Sequence, residues 1–183
     1  RGGGMSYTGG YTPSTKRSVI VDTSLLNQIL EINSEDMYIT VEAGCTWKSI
    51  YQALKPMGMR LPFFGTNSGS MATVGGGLSN GALFFGTGKY GSAADNVLGM
   101  EVIIADGTLI KTGQNAFANS KPHHRTYGPD MTGLFCHDAG SLGIKVQATF
   151  PLIYWPKSID YLSLHIRRSK ILSQHCHLYL NQG

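Results

Sequence analysis

The sequence predicts an α+β fold. Short β-branched runs joined by tight turns are interspersed with helical stretches, one of them clearly amphipathic. The regular strand–helix–strand alternation of a doubly wound sheet is absent, and no GxGxxG stands between a strand and a helix, which argues against a Rossmann fold. Glycine is abundant, 24 of 183 residues, with no collagen-like period, so the glycines serve local backbone tasks.

The chain opens with Arg1-Gly2-Gly3-Gly4-Met5-Ser6-Tyr7-Thr8-Gly9-Gly10. Three glycines before a hydroxyl residue leave main-chain N–H groups uncovered, a candidate cradle for an anionic group. Taken alone, such a run also reads as a flexible linker. Ser18 to Asp22 is β-branched and is expected as a strand. Ile29 to Asn33 and Met37 to Glu42 read as two more, joined by a Ser34-Glu35-Asp36 turn. From Thr46, a good N-cap, apolar residues recur at Trp47, Ile50, Tyr51, Leu54 and Met57, one face of a helix that Gly58 stops. That spacing assigns Trp47 and Tyr51 to the core.

Leu61-Pro62 opens a long loop over 63–77 rich in small and hydroxyl residues, which lets a ligand lie against the backbone. A short helix through Leu78 to Ala82 is expected to turn its N-terminal N–H groups toward that loop. Phe84 to Gly91 reads as a flexible connection. Met100 to Ala105, an Asp106-Gly107 turn and Thr108 to Thr112 form the clearest hairpin. Residues 113–127 read as a polar surface loop carrying His123 and His124, followed by a short helix near Pro129. A glycine-punctuated turn from Asp138 to Gly143 feeds a strand from Ile144 to Phe150. Pro151 and Pro156 bracket a change of style, and the remainder is expected to open a second domain.

The net charge of +4 and pI near 9.0 are a mild cationic balance suited to an anionic ligand. No Lys/Arg cluster is interleaved with aromatics, so nucleic-acid binding is not expected. Cys45, Cys136 and Cys176 are an odd number without a CxxC pair, against both a disulfide framework and a zinc knuckle, and a reducing, cytoplasmic compartment is expected. No apolar run reaches a membrane span and no signal peptide is evident, although a chain starting without Met leaves room for an upstream segment and for membrane association through it. His175-Cys176-His177 could place two imidazoles on one strand face, but no third ligand accompanies them and no metal is expected. Cys45 reads as a small buried residue, Tyr90 as a packing ring and Lys89 as a solvated cation.

Taken in order, the motifs match something specific. Residues 1–10, Val41-Glu42-Ala43-Gly44, Ala72-Thr73-Val74-Gly75-Gly76, Tyr90-Gly91 with Asp95-Asn96-Val97-Leu98-Gly99, Ala105-Asp106-Gly107 and Gly140-Ser141-Leu142-Gly143-Ile144 resemble the FAD-binding domain of the vanillyl-alcohol oxidase and p-cresol methylhydroxylase flavoproteins, nearest to the glycolate oxidase and D-lactate dehydrogenase type. The resemblance covers residues 1 to about 153 and implies FAD as cofactor. It places the pyrophosphate on main-chain donors of Arg1, Gly2, Gly3, Gly4, Met5 and Ser6 and of Thr66, Ser68, Gly69, Ser70, Ala72, Thr73, Gly75 and Gly76. The flavin ring would lie against Ser79, Asn80, Gly81 and Ala82, with Gly143 and Ile144 bonding the adenine or flavin edge.

It further implies oxidation of an alcohol or 2-hydroxy acid by hydride transfer to flavin N5, with a sugar or aldonolactone oxidase, or a non-catalytic flavin- or nucleotide-binding fragment, as alternatives. Relatives with a histidine-linked flavin often carry that His where Met5 stands, so covalent attachment through this loop is not expected. Family members normally have a small subdomain before the glycine loop and a substrate domain after the 144–150 strand. The chain is therefore expected to be a fragment, with 1–153 the N-terminally truncated FAD-binding domain and 154–183 the start of a substrate or cap domain. The expected partners are a small-molecule substrate and an unidentified electron acceptor, with a homo-oligomer left open. No catalytic residue is assigned.

Overall fold

In the computed structural model, described for residues 1–63, 68–126, 128–160 and 162–163, the fold is α+β as the sequence predicts. A five-stranded antiparallel sheet has the order β1-β2-β6-β4-β5, with β1 Ile29–Asn33, β2 Tyr38–Glu42, β4 Gly99–Ile103, β5 Leu109–Lys111 and β6 Ile144–Pro151. The Asn33 side-chain oxygen accepts the N–H groups of Glu35 (3.1 Å) and Asp36 (2.8 Å), forming the β1–β2 turn, which Met37 leaves at φ 57°. The Asp106-Gly107 turn closes the β4–β5 hairpin, with the Thr108 N–H on Asp106 Oδ1 at 2.9 Å. β6 runs through the middle of the sheet, and its Thr149 hydroxyl shares a buried 2.9 Å hydrogen bond with Thr40 of β2.

Helix α1, Trp47–Leu54, begins at Thr46, whose hydroxyl accepts the Ser49 N–H at 3.1 Å. Its continuation over Lys55–Met57 is a 3-10 turn ended by Gly58 at φ 66°. The face carrying Trp47, Ile50 and Leu54 is buried in the hydrophobic core that also holds Ile39, Val41 and Phe150 of the sheet. The Trp47 ring meets Phe63, Phe84 and Phe150 at centroid distances of 5.4, 4.9 and 5.8 Å, near the edge-to-face geometry aromatic rings prefer. Met59–Arg60 (β3) pairs with Ile153–Tyr154 (β7) in a separate two-stranded ribbon.

Helix α2 is Val74–Asn80, α3 Thr87–Tyr90, α4 Ala93–Asn96 and α5 Met131–Leu134. Ser92 and Asp95 form a reciprocal capping box at α4, and Asp130 caps α5 through the Gly133 N–H at 2.8 Å.

The structure corrects four expectations. Ser18 to Asp22 is not a strand: β propensity needs a pairing partner, and this exposed run lies outside the sheet, tied to Arg1 by its last residue. Tyr51 is 37% exposed, set at the rim against Trp155 with the Lys55 ammonium over its ring, rather than in the core. Residues 87–90 form α3 inside what reads as a flexible connection. Finally, α2 starts at Val74 rather than Leu78: Thr73 supplies a capping hydroxyl, and the glycines pack closely, a β-carbon at Gly77 standing 2.9 Å from the Trp47 ring.

Phe150 is fully buried in the aromatic cluster. Phe150→Ala is expected to cost about 3–5 kcal/mol, measured by urea unfolding. A loss below about 1 kcal/mol would show that the cluster does not carry the core.

Candidate functional site

The site is built where main chain meets main chain. A β-carbon added to Gly3 would lie 1.8 Å from the Met71 carbonyl oxygen, and one added to Gly2 would lie 2.2 Å from Thr73 Oγ1. The first glycine loop therefore rests directly on the second loop, an approach open only to residues without side chains. Gly4 turns the loop at φ 68°. Among the described residues, the half-buried backbone N–H groups of Gly2, Gly3 and Gly4, and those of Met5 and Ser6, find no acceptor in the protein. A run of such donors is a site for an anion.

The loop is anchored from outside. The Arg1 carbonyl accepts the Thr23 N–H (2.9 Å) and hydroxyl (3.1 Å), and Arg1 Nε donates to Asp22 at 3.0 Å. Hydrogen bonds from the Ser24 hydroxyl and N–H, and then from Arg1, hold the Asp22 carboxyl down at about 2. Asp22 therefore stays ionised across the physiological range.

The second loop is stitched to the start of α1. Lys48 N–H donates to Gly69 O at 2.9 Å, Trp47 N–H to Ala72 O at 3.3 Å, and Val74 N–H to Cys45 O at 2.9 Å. Gly75 N–H reaches Ala43 O at 2.7 Å, and Gly44 passes so close to Thr23 O and Leu26 O that a β-carbon would stand 2.1 and 2.6 Å from them. Segments 1–4, 23–26, 43–46 and 71–75 thus converge with glycine at each closest approach.

This geometry changes the role of α2. Its first N–H groups, those of Val74, Gly75 and Gly76, are taken by Cys45, Ala43 and the Thr73 hydroxyl, so the helix start offers no free donor row. Ser79 and Asn80 lie at its C-terminal end, Gly81 is the left-handed cap at φ 64°, and the Ala82 N–H returns to Gly77 O at 3.0 Å. The Asn80 side chain donates to Gly76 O at 3.1 Å. Gly143 lies against Ile103 O, and Ile144 pairs with Ile103 at the exposed start of β6. Beside them is an open, mainly apolar recess of about 450 Å³, lined by Ile104, Ala105, Asp106, Leu134, Phe135 and Leu142.

The sequence-predicted residues fall into two groups: Arg1 to Ser6 with Ser68 to Gly76, and Ser79 to Ala82 with Gly143 and Ile144. They lie toward opposite ends of helix α2, which is seven residues and so about 10 Å long. Thr66 lies outside the described residues, as do His175 and His177. Among the described residues no group of three or more metal-ligating side chains occurs, and no helix is long and apolar enough to cross a membrane.

One feature escaped the sequence reading: a buried ion pair, Lys145 Nζ to Asp138 Oδ1 at 2.7 Å, with both side chains at most 3% exposed. Its only signal is a lysine near the start of a strand, with an aspartate seven residues earlier.

The FAD binding domain family matches residues 1–113. Mitochondrial D-lactate dehydrogenase [cytochrome] 1 of Saccharomyces cerevisiae is 30% identical over 158 residues, 85% of this chain and 25% of that protein. The glycolate oxidase subunit GlcD of Bacillus subtilis is 32% identical over 86% of this chain and 32% of its own length, and mitochondrial D-2-hydroxyglutarate dehydrogenase of Bos taurus 30% over 79% and 25%. The chain thus spans a quarter to a third of the length of these relatives. In fold it resembles alkyldihydroxyacetonephosphate synthase, with a TM-score of 0.72 at 19% identity over 86% of this chain and 27% of that one.

Cys45 is fully buried at the convergence of these segments, and burial pushes its thiol up to about 11. It is expected to resist maleimide at pH 8 in the folded protein and to react after urea unfolding, read by peptide mass mapping. Rapid native labelling of Cys45 would show that the 43–46 junction opens.

Proposed function

The chain belongs to the FAD binding domain family, whose cofactor is FAD, and from that premise we propose that it is part of a flavin-dependent dehydrogenase or oxidase acting on a 2-hydroxy acid. The observation that carries this reading is the row of unpaired N–H groups from Gly2 to Ser6, held open by the Gly3–Met71 and Gly2–Thr73 approaches. A diphosphate has many acceptor oxygens, and main-chain donors fixed in advance bind it without reorganising. The mild net charge of +4 fits a site in which backbone dipoles, rather than a cationic pocket, meet the anion.

When bound, the flavin supplies the hydride-accepting chemistry, and the protein supplies position and electrostatics. Gly2 to Ser6 would hold the pyrophosphate, with Ser68 to Gly76 closing the cradle from below. Because the N–H groups of Val74 to Gly76 are already used, the second loop contributes chiefly by shaping the first. Ser79, Asn80, Gly81 and Ala82 would border the flavin ring, the small side chains of Ser79 and Ala82 allowing a flat group to approach, with the His137 imidazole already packed on Gly81. Gly143 and Ile144 would meet the adenine or flavin edge.

The substrate class is inferred from the relatives: lactate, glycolate and 2-hydroxyglutarate each carry a hydroxyl beside a carboxylate. Residues 1–153 are proposed as the FAD-binding domain and 154–183 as the opening of a substrate domain. The junction would lie against the first domain, since the Trp155 N–H still reaches Gly58 O at 2.8 Å.

The full-length protein is expected to absorb near about 450 nm as flavoproteins do, and to bleach when a 2-hydroxy acid is added without oxygen. Gly3→Ala should weaken FAD binding at least about tenfold, 1.4 kcal/mol, with the far-ultraviolet circular dichroism unchanged. A colourless protein that FAD does not reconstitute would refute the reading, and full bleaching by a simple sugar with none by 2-hydroxy acids would refute the substrate class.

A further inference from the structure

Buried ions need a reason. Removing a carboxylate and an ammonium from water costs so much that a buried ion pair rarely outperforms an apolar pair of the same volume. Asp138 and Lys145 are 2% and 3% exposed in their side chains.

What the pair does is hold a segment in a conformation its residues resist. His137 and Ala139 have φ of 57° and 51°, left-handed values that L-residues avoid, and Gly140 follows at 78°. Asp138 lies between them and organises the turn from both ends. Its Oδ1 accepts the Gly140 N–H at 2.9 Å as well as the Lys145 ammonium, and its carbonyl accepts the Ser141 N–H (2.9 Å) and hydroxyl (2.6 Å). Lys145 is in β6, so the turn is fastened to the central strand of the sheet.

The same segment grips the end of α2. His137 N–H donates to Leu78 O and Ala139 N–H to Ser79 O, both at 2.9 Å, and the His137 imidazole packs on Gly81 so closely that a β-carbon there would stand 1.9 Å from Nδ1. Two parts of the candidate site, Ser79 to Ala82 and Gly143 to Ile144, are therefore joined through one strained turn whose fixed point is the ion pair.

We infer that Asp138 and Lys145 are positioning residues for FAD: their ion pair sets the left-handed 137–140 turn, and through it the registration of the Gly143–Ile144 edge with the end of α2. The inference rests on the FAD reading above. Its consequence is that charge and turn geometry matter to cofactor affinity in a way that burial alone does not.

The test uses the full-length protein, reading FAD affinity by titration of the apoprotein and, separately, apoprotein thermal stability. Asp138→Asn and Lys145→Met should each raise the FAD dissociation constant at least about tenfold. The decisive variant is the double Asp138→Leu/Lys145→Met, which replaces the pair by apolar groups and leaves no lone buried charge. It is expected to unfold at or above the wild-type temperature while still binding FAD at least about tenfold more weakly, because the turn has lost its anchor. Wild-type FAD affinity in the double variant would overturn the inference and leave the pair a purely structural tie. Should the double variant not fold, Asp138→Asn, which retains an oxygen for the Gly140 N–H, decides by the same two readouts. Failure of the wild-type protein itself to bind FAD would refute the functional reading and this inference together, a result distinct from either variant outcome.

Discussion

Gly3 stands where a β-carbon would be 1.8 Å from the Met71 carbonyl oxygen, and the candidate site depends on that approach. If the first loop could not lie on the second, its N–H groups from Gly2 to Ser6 would be free in water and would present no fixed geometry to an anion. Thr23 and Asp22 hold the loop from one side by way of Arg1, and Met71 to Thr73 form its floor. A cradle made in this way is neutral and needs few lysines, consistent with a chain whose charge is only mildly positive.

The core exists to keep that floor in place. The β2 strand ends at Glu42, and the next residues, Ala43 and Gly44, carry the hydrogen bonds that fix Gly75 and meet Leu26. Immediately afterwards Thr46 caps α1, so Trp47 enters the aromatic cluster one residue beyond the junction. Gly77 of α2 completes the contact, since a β-carbon there would stand 2.9 Å from the Trp47 ring. Sheet, helix and loop are thus locked by a few close contacts, and packing of Trp47 against Phe63, Phe84 and Phe150 supplies the rigidity that a preorganised site requires.

Much of this was legible from residues alone, in physical terms that differ from place to place. The α1 boundaries follow from a capping threonine, an apolar face and a terminating glycine, and the β4–β5 hairpin from its Asp-Gly turn. The first glycine loop was legible as a loop, whereas Gly75 to Gly77, read as the end of a second loop, lie in α2; the order of the motifs carried the FAD-binding family. What sequence could not show was which N–H groups remain unpaired: the α2 start is recognisable only when Thr73 is seen capping Gly76, at the head of a Val-Gly-Gly-Gly run that by propensity resists helix. The Ser18 to Asp22 run illustrates the converse, a good strand sequence with no partner in the sheet. Asp138 and Lys145 were invisible because their pairing depends on a turn of left-handed residues that no local propensity announces.

On the proposed reading, Gly2 to Ser6 receive the diphosphate of FAD through their main chain. Amide hydrogen exchange of these residues, measured in the full-length protein with and without saturating FAD, tests it directly. Their exchange is expected to slow at least about tenfold on FAD binding. Saturating FAD binding with unchanged exchange at all of these residues would contradict it.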